Sequence, residues 1–379
     1  MRAASVARKR VLHLIESGGI YGAERVIVNL SREMARHGVF QPVVGCITQR
    51  KDESVDLLTL SQSLGIEAHP VRVSNLGLPW QLPRAARELK RLGIDLIHCH
   101  GYKPTVFASV IGALTGIPVM ATCHLWFVDA NAPLKMRLMI GVEKRRYPHF
   151  PAVVAVSEEI RSILLGAGVK PGNVALIRNG IALEDYERPA DLPARSAESE
   201  FCIVNIARLT AQKAQRDLVS AAVEMKRRGA RFRILLAGEG ELRQELTRQI
   251  EEQGVADVVQ VLGFLSDVNG LLQRADLFAL PSLDEGMPIS LLEAVAARVP
   301  ALVTAVGDIP KLIRDGETGT VVRPGEPLQL ADALLALMAD APRRQRQADA
   351  AYQRLKEAYS ATHMYEQYES VYRSVLSRN

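Results

Sequence analysis

Short apolar runs alternate with amphipathic helical stretches along almost the whole chain, and this alternation restricts the fold more than any other feature. In the first half, residues 10–15, 42–47, 95–100, 118–124 and 152–157 read as strands, with helical stretches 23–37, 103–115 and 134–146 among them. In the second half, residues 201–207, 231–237, 258–262, 276–280, 301–304 and 319–322 repeat the scheme. This βαβα rhythm predicts an α/β protein whose parallel sheets are covered by helices on both faces. One sheet of eleven or more strands is disfavoured against two sheets. A break fits the stretch LEDYERPADLPARSAESE, which is charged, rich in Pro and Ser, and without periodicity. The expected organisation is therefore residues 1–182 as one doubly wound domain, 183–199 as a linker and 200–359 as a second such domain. Residues 360–379 form a closing amphipathic helix with Met364, Tyr365, Tyr368, Val371, Tyr372 and Val375, expected to pack back toward the first domain. Ligand should lie at the carboxyl ends of strands, where the domains face one another.

Composition narrows the class. With 379 residues there is ample core for each domain, and 48% hydrophobic with 23% charged residues is ordinary for a soluble globular protein. A net charge of +5 is mild for this length and demands no nucleic-acid partner. Cys46, Cys99, Cys123 and Cys202 are scattered without a Cys-x-x-Cys pair, which suits reduced thiols better than a disulfide framework or a zinc site. The basic start MRAASVARKR imitates a signal peptide, but the apolar run behind it is short and is cut by Glu16. No run of about 18 uncharged apolar residues is present to span a membrane. A cytoplasmic protein is the expectation.

Residues 282–293, SLDEGMPISLLE, hold Glu285 and Glu293, eight positions apart. The apolar run before them reads as a buried strand ended by Pro281 and Ser282. Pro288 suits the first position of a helix, because it has no N–H to lose there. Ile289, Leu291, Leu292, Val295 and Ala296 then supply an apolar face. Glu285 thus falls in the loop ahead of a helix and Glu293 in its second turn. Backbone N–H groups at such a helix start attract anions. Two acids beside an anion site need hydroxyls or cations to face them, so a ligand carrying both phosphate and hydroxyl groups fits.

Other strand ends add to this. Arg208 and Lys213, in ARLTAQK, sit in or beside the loop after the first strand of the second domain. A guanidinium and an ammonium can neutralise a diphosphate without a metal; the plain alternative is a solvated basic loop. No D-x-D is present to hold Mn²⁺ or Mg²⁺ on a sugar diphosphate, which fits the cation pair. His100 and His124 end strands of the first domain, where a histidine can meet a substrate oxygen or serve as a polar terminus. His98 shares a face with His100 by strand alternation, as a partner or as filling. The loop from Ser17 to Glu24 contains Gly18, Gly19 and Gly22, and Gly238-Glu239-Gly240 follows another strand. Neither has the G-x-G-x-x-G spacing of a dinucleotide fingerprint; each is a phosphate approach or a simple tight turn.

Taken together these segments resemble the retaining glycosyltransferases of family 4, the glycosyl transferases of group 1, which have a GT-B fold. GGIYGAERVIVNLSREMARHG resembles the opening glycine loop and first helix of that family, ARLTAQKA its G-R-L-x-x-x-K-G segment, and IRNGI its entry to the interdomain hinge. LDEGMPISLLEAVAARVPALVTAVGDIPKLIRDGETG is close to its most specific signature, in which the two glutamates are spaced E-x7-E. The resemblance implies two Rossmann-like domains facing each other across a cleft. It implies that Arg208 and Lys213 bind the donor diphosphate, that Glu293 accepts from ribose hydroxyls, and that Glu285 contacts the sugar. Backbone around Gly286, Met287, Pro288 and Ile289 would complete the donor site. His124 matches the histidine near the anomeric centre, and Gly18 and Gly19 let the first domain approach the diphosphate and acceptor. Ala207, Ala214 and Asp308 stand where the family usually has glycine.

The activity this implies is retaining, metal-independent transfer of a sugar from a UDP- or GDP-sugar to a glycan or lipid-linked acceptor, in cell-surface polysaccharide or glycolipid synthesis. No cofactor, metal or nucleic acid is expected. Two alternatives remain: a sugar-nucleotide epimerase of the same fold, and a non-catalytic sugar-nucleotide-binding partner. Residues 135–146, KMRLMIGVEKRR, mix apolar with basic side chains. They read either as a helix resting on the anionic inner face of the cell membrane or as a core-facing helix with a solvated basic side.

Overall fold

The computed structural model describes residues 8–48, 55–73, 78–124, 134–187, 200–265 and 267–378. The chain divides into two compact units, Met1–Gly180 with Ala361–Asn379, and Ile181–Ser360. The first unit holds β1 (Lys9–Ile15), β2 (Phe40–Thr48), β3 (Glu67–Arg72), β4 (Leu96–His100), β5 (Val119–Cys123), β6 (Val153–Ala155) and β7 (Val174–Leu176). They form one sheet in the order β3-β2-β1-β4-β5-β6-β7, and every pairing is parallel. The second unit holds β8 (Phe201–Ile206), β9 (Phe232–Ala237), β10 (Val259–Gly263), β11 (Leu277–Leu280), β12 (Ala301–Thr304) and β13 (Thr320–Val322). Their order is β10-β9-β8-β11-β12-β13, again all parallel. These are the two doubly wound α/β sheets that the alternation of the sequence predicts.

Two strands escape that alternation. β3 contains Pro70 and lies at the edge of its sheet, where a missing N–H costs nothing to a neighbour. β7, at the opposite edge, is only three residues long and half-buried. Edge strands need little apolar sequence, so neither leaves the signal that a central strand does. Leu183–Tyr186, read from composition as linker, forms a 3₁₀ turn of the second unit with Tyr186 buried. The rest of that stretch, residues 188–199, lies outside the described residues.

In each sheet the chain reverses its winding once: between β1 and β4 in the first unit, between β8 and β11 in the second. Loops leaving the carboxyl ends of strands at such a point diverge and open a crevice, which is where open α/β sheets bind ligands. One face of the first sheet is apolar, with Leu12, Leu14, Ile97, Cys99, Ala121 and Cys123 in its core. The middle of the opposite face is polar: His13, His98, His100 and Thr122 are all buried there. Gly22–His37 and the closing helix Ala361–Ser377 contribute the groups that satisfy them. Tyr372 bonds His98 at 2.9 Å, Tyr368 bonds Thr122 at 2.9 Å, and Thr362 donates to Glu33 at 2.9 Å. A buried polar face is tolerable because each of these groups has a partner.

Candidate active site

In the second unit the loops after β8 and β11 carry the predicted residues. Lys213 Nζ donates to Glu285 Oε1 at 2.5 Å, and Ser282 Oγ donates to the same oxygen at 2.7 Å. Thr304, the last residue of β12, donates from Oγ1 to the Ser282 carbonyl at 2.5 Å, so three neighbouring strand ends converge. The two loops are also joined through Gln212: Leu283 N–H donates to its backbone carbonyl at 2.8 Å, and its side-chain Nε2 donates to the Asp284 carbonyl at 2.9 Å. Glu285 is buried and Lys213 nearly so. The sequence placed these two side chains on different parts of a ligand; the structure pairs them directly. A buried carboxylate needs such a partner, because desolvation would otherwise drive it neutral.

Arg208 is exposed at the same end of the sheet, and among the described residues its guanidinium makes no ion pair. Its loop is fixed from behind. Leu209 N–H donates to the Glu239 carbonyl at 3.0 Å, and the Gln215 amide donates to the Arg208 carbonyl at 2.9 Å. This is why Gly238 and Gly240 are glycines: a Cβ there would sit 1.9 Å from the Ala207 oxygen or 2.2 Å from the Leu209 oxygen. The Gly-Glu-Gly segment is thus a close-packing device beneath the cationic loop. Gly307 does the same for the acidic loop. Its φ is +54°, a Cβ would lie 1.8 Å from the Glu285 oxygen, and Asp308 N–H donates to the Gly286 carbonyl at 3.0 Å.

The helix after this loop runs Ile289–Ala296, with Pro288 as its N-cap and not its first residue. Glu293 is 2% exposed, and its Oε1 accepts from Tyr186 Oη at 2.9 Å. Tyr186 is the clearest residue that sequence reasoning missed, because it lies in the unpatterned stretch before the second unit. The Met287 side chain is buried in the core, so what this residue offers a ligand is its backbone. Gly286 is exposed, with open space where a side chain would be.

In the first unit Gly18 is exposed, with nothing near its Cβ position. Beside this loop Lys103, the lysine of HGYKP, is buried and ion-paired to Glu16. His124 follows β5 and is partly exposed, and its Nε2 lies 3.0 Å from Nδ1 of the buried His100. Burial lowers the His124 pKa to about 4, so the ring is neutral at neutral pH. Of the two strand-end histidines, His124 can meet a ligand, while His100 stands behind it.

Solved structures share this fold. HepE of Anabaena, crystallised with UDP and glucose, matches with a TM-score of 0.81 at 19% identity, covering 97% of this chain and all (100%) of that one. The two doubly wound parallel sheets are those of the GT-B fold. The model described as Glycosyltransferase Family 4 matches residues 20–185, and that described as Glycosyl transferases group 1 matches residues 191–354. The chain belongs to glycosyltransferase family 4. It is 29% identical over 314 residues to the putative glycosyltransferase EpsF of Bacillus subtilis, covering 79% of each chain. Over 172 residues it is 32% identical to the putative colanic acid biosynthesis glycosyltransferase WcaL of Escherichia coli, covering 43% of this chain and 41% of that one.

Proposed function

We propose that this enzyme performs retaining, metal-independent transfer of a sugar from a UDP- or GDP-sugar to a glycan or lipid-linked acceptor, in cell-surface polysaccharide or glycolipid synthesis. The observation that carries this reading is the Lys213–Glu285–Ser282 cluster with exposed Arg208 at the carboxyl ends of β8 and β11. Breaking a glycosyl–phosphate bond leaves negative charge on the departing diphosphate, and preorganised cations stabilise it without a metal. Arg208 and Lys213 supply that charge. Lys213 turns from Glu285 toward the diphosphate, and Glu285 accepts from hydroxyls of the sugar. Glu293, oriented by Tyr186, accepts from the ribose, and backbone from Gly286 to Ile289 completes the donor site. Gly18, Gly19 and His124 serve the reacting sugar and the acceptor. With no enzymic nucleophile assigned, the acceptor attacks from the side the diphosphate leaves, and the leaving phosphate oxygen takes its proton. The UDP and glucose of the HepE structure support a sugar nucleotide donor, and the name of WcaL supports polysaccharide synthesis.

A membrane-bound acceptor has separate support. On the helix Leu134–Arg146, Leu138 is 63% and Val142 40% exposed, between exposed Arg137, Lys144 and Arg145. Apolar side chains amid cations suit the headgroup layer of an anionic bilayer. Co-flotation with anionic vesicles at low salt tests this, and a protein that stays unbound refutes it.

The main test is a thermal-shift screen of UDP-, GDP- and ADP-sugars, followed by a transfer assay with and without EDTA. Stabilisation by a UDP- or GDP-sugar, full activity in EDTA and a product with the donor's anomeric configuration are expected. A strict need for Mn²⁺, an inverted product, or a response to a nicotinamide cofactor alone refutes the proposal. Conversion of the donor sugar without an acceptor would indicate the epimerase, and binding without turnover the non-catalytic partner.

A further inference from the structure

Four imidazoles lie on the polar face of the first sheet, and three of them stand in single file. Met34 Sδ lies 3.3 Å from His13 Nε2, and His13 Nδ1 lies 3.3 Å from His100 Nε2. His100 Nδ1 then lies 3.0 Å from His124 Nε2. The last nitrogen of the file, His124 Nδ1, has no hydrogen-bond partner among the described residues. His98 belongs to a different chain, with Nδ1 on Tyr372 Oη at 2.9 Å and Nε2 on Thr122 Oγ1 at 2.7 Å.

The file has a direction. A thioether sulfur accepts a hydrogen bond but has no proton to give, so His13 must be the donor to Met34 through Nε2–H. A neutral imidazole has one N–H, so His13 Nδ1 is left as an acceptor and His100 must donate through its Nε2–H. The same step repeats: His100 Nδ1 accepts, and His124 donates through Nε2–H. We infer that Met34 fixes the polarity of this file, so that His124 presents an unprotonated Nδ1, a hydrogen-bond acceptor, at the partly exposed end of β5. Burial supports the neutrality this needs, lowering His13 to about 3 and His100 well below the ordinary histidine value. The His98 series runs from Tyr372 through Thr122 to Tyr368, hydroxyls that give or accept, and so it carries no fixed direction.

An acceptor nitrogen selects its ligand. It binds a hydroxyl or N–H and opposes a phosphate or carboxylate oxygen, which brings only lone pairs. If His124 meets the transferred sugar, as proposed above, the group it reads there is a hydroxyl, and a donor with a carboxylate at that position is rejected. That consequence rests on the proposed function; the direction of the file does not. The competing use of these side chains is a metal site, since His13, His98 and His100 each offer a ligand atom within 4.8 Å of the others. A metal there would displace the protons that define the file.

Histidine-labelled full-length protein, examined by long-range nitrogen-15–proton correlation at neutral pH, reads the tautomers directly. The Nε2–H form is expected at His13, His100 and His124, with the His124 Nδ1 signal moving when a UDP- or GDP-sugar binds. In Met34→Leu the sulfur acceptor is lost; mixed tautomers at His124 and an apparent donor affinity lower by about 10-fold are expected. A proton on His124 Nδ1 in the unaltered protein, a stoichiometric transition metal in the purified protein, or an unchanged His124 spectrum in Met34→Leu overturns the inference. Should the Nε2–H form be found while the bound sugar nucleotide leaves Nδ1 unmoved, the direction stands and the placement of His124 at the sugar fails. The unaltered protein needs no variant to fold, so the tautomer result decides on its own.

Discussion

Replacing Glu143 by glutamine should stabilise the first unit at alkaline pH and leave it unchanged in acid. Glu143 lies in the helix Leu134–Arg146, is 4% exposed, and accepts from Tyr147 Oη at 2.6 Å. Burial raises its pKa from 4.5 to about 7, against the opposing hydrogen bonds of Tyr147 and Thr105 and the charge of Lys144. The raised folded value means that the neutral carboxyl is the form the fold prefers. Its contribution is fully present below the unfolded pKa and is lost as pH rises through the folded one. The gap corresponds to about 3 kcal/mol, since each pKa unit is worth about 1.4 kcal/mol. Glutamine keeps the oxygen that accepts from Tyr147 and never ionises, so Glu143→Gln recovers that loss above about pH 8 and nothing below about pH 4. Urea unfolding of the two proteins across this pH range, followed by far-ultraviolet circular dichroism, measures the difference. Equal stability of the two proteins at alkaline pH, or a gain of the same size in acid, would refute the assignment of burial as the cause.

Three further outcomes follow from the second unit. Lys213→Ala strands the buried Glu285 carboxylate and should destabilise the unit by about 3 kcal/mol in urea, with most of that loss absent when Glu285→Gln is added; strictly additive losses would contradict a direct pair. Tyr186→Phe removes the hydroxyl donor to Glu293 and should cost about 2 kcal/mol, checked by urea unfolding followed by far-ultraviolet circular dichroism. Gly307→Ala forces a Cβ onto the Glu285 carbonyl at positive φ, and a loss of roughly 3 kcal/mol with sugar-nucleotide binding abolished is expected; wild-type binding by calorimetry would show that the acidic loop does not need this glycine.

The sequence by itself determined the class of the fold and the local placement of half the candidate site. Central parallel strands are buried on both faces, so their apolar runs at β1, β8 or β11 are local signals that need no partner to be read. The same holds for Glu285 and Glu293, whose spacing around Pro288 already places one before a helix and one within it. The edge strands β3 and β7 were illegible because an edge asks so little of its residues. What only the tertiary structure decided is who meets whom. Lys213 and Glu285 are 72 positions apart, and Tyr186 and Glu293 are 107 apart. Met34, His13, His100 and His124 line up only because β1, β4 and β5 are adjacent and one helix lies across them. Periodicity and spacing report a residue's own environment; a hydrogen bond between distant segments depends on register and packing. Its direction, and hence the proton that His124 offers or withholds, exists only once those segments have come together.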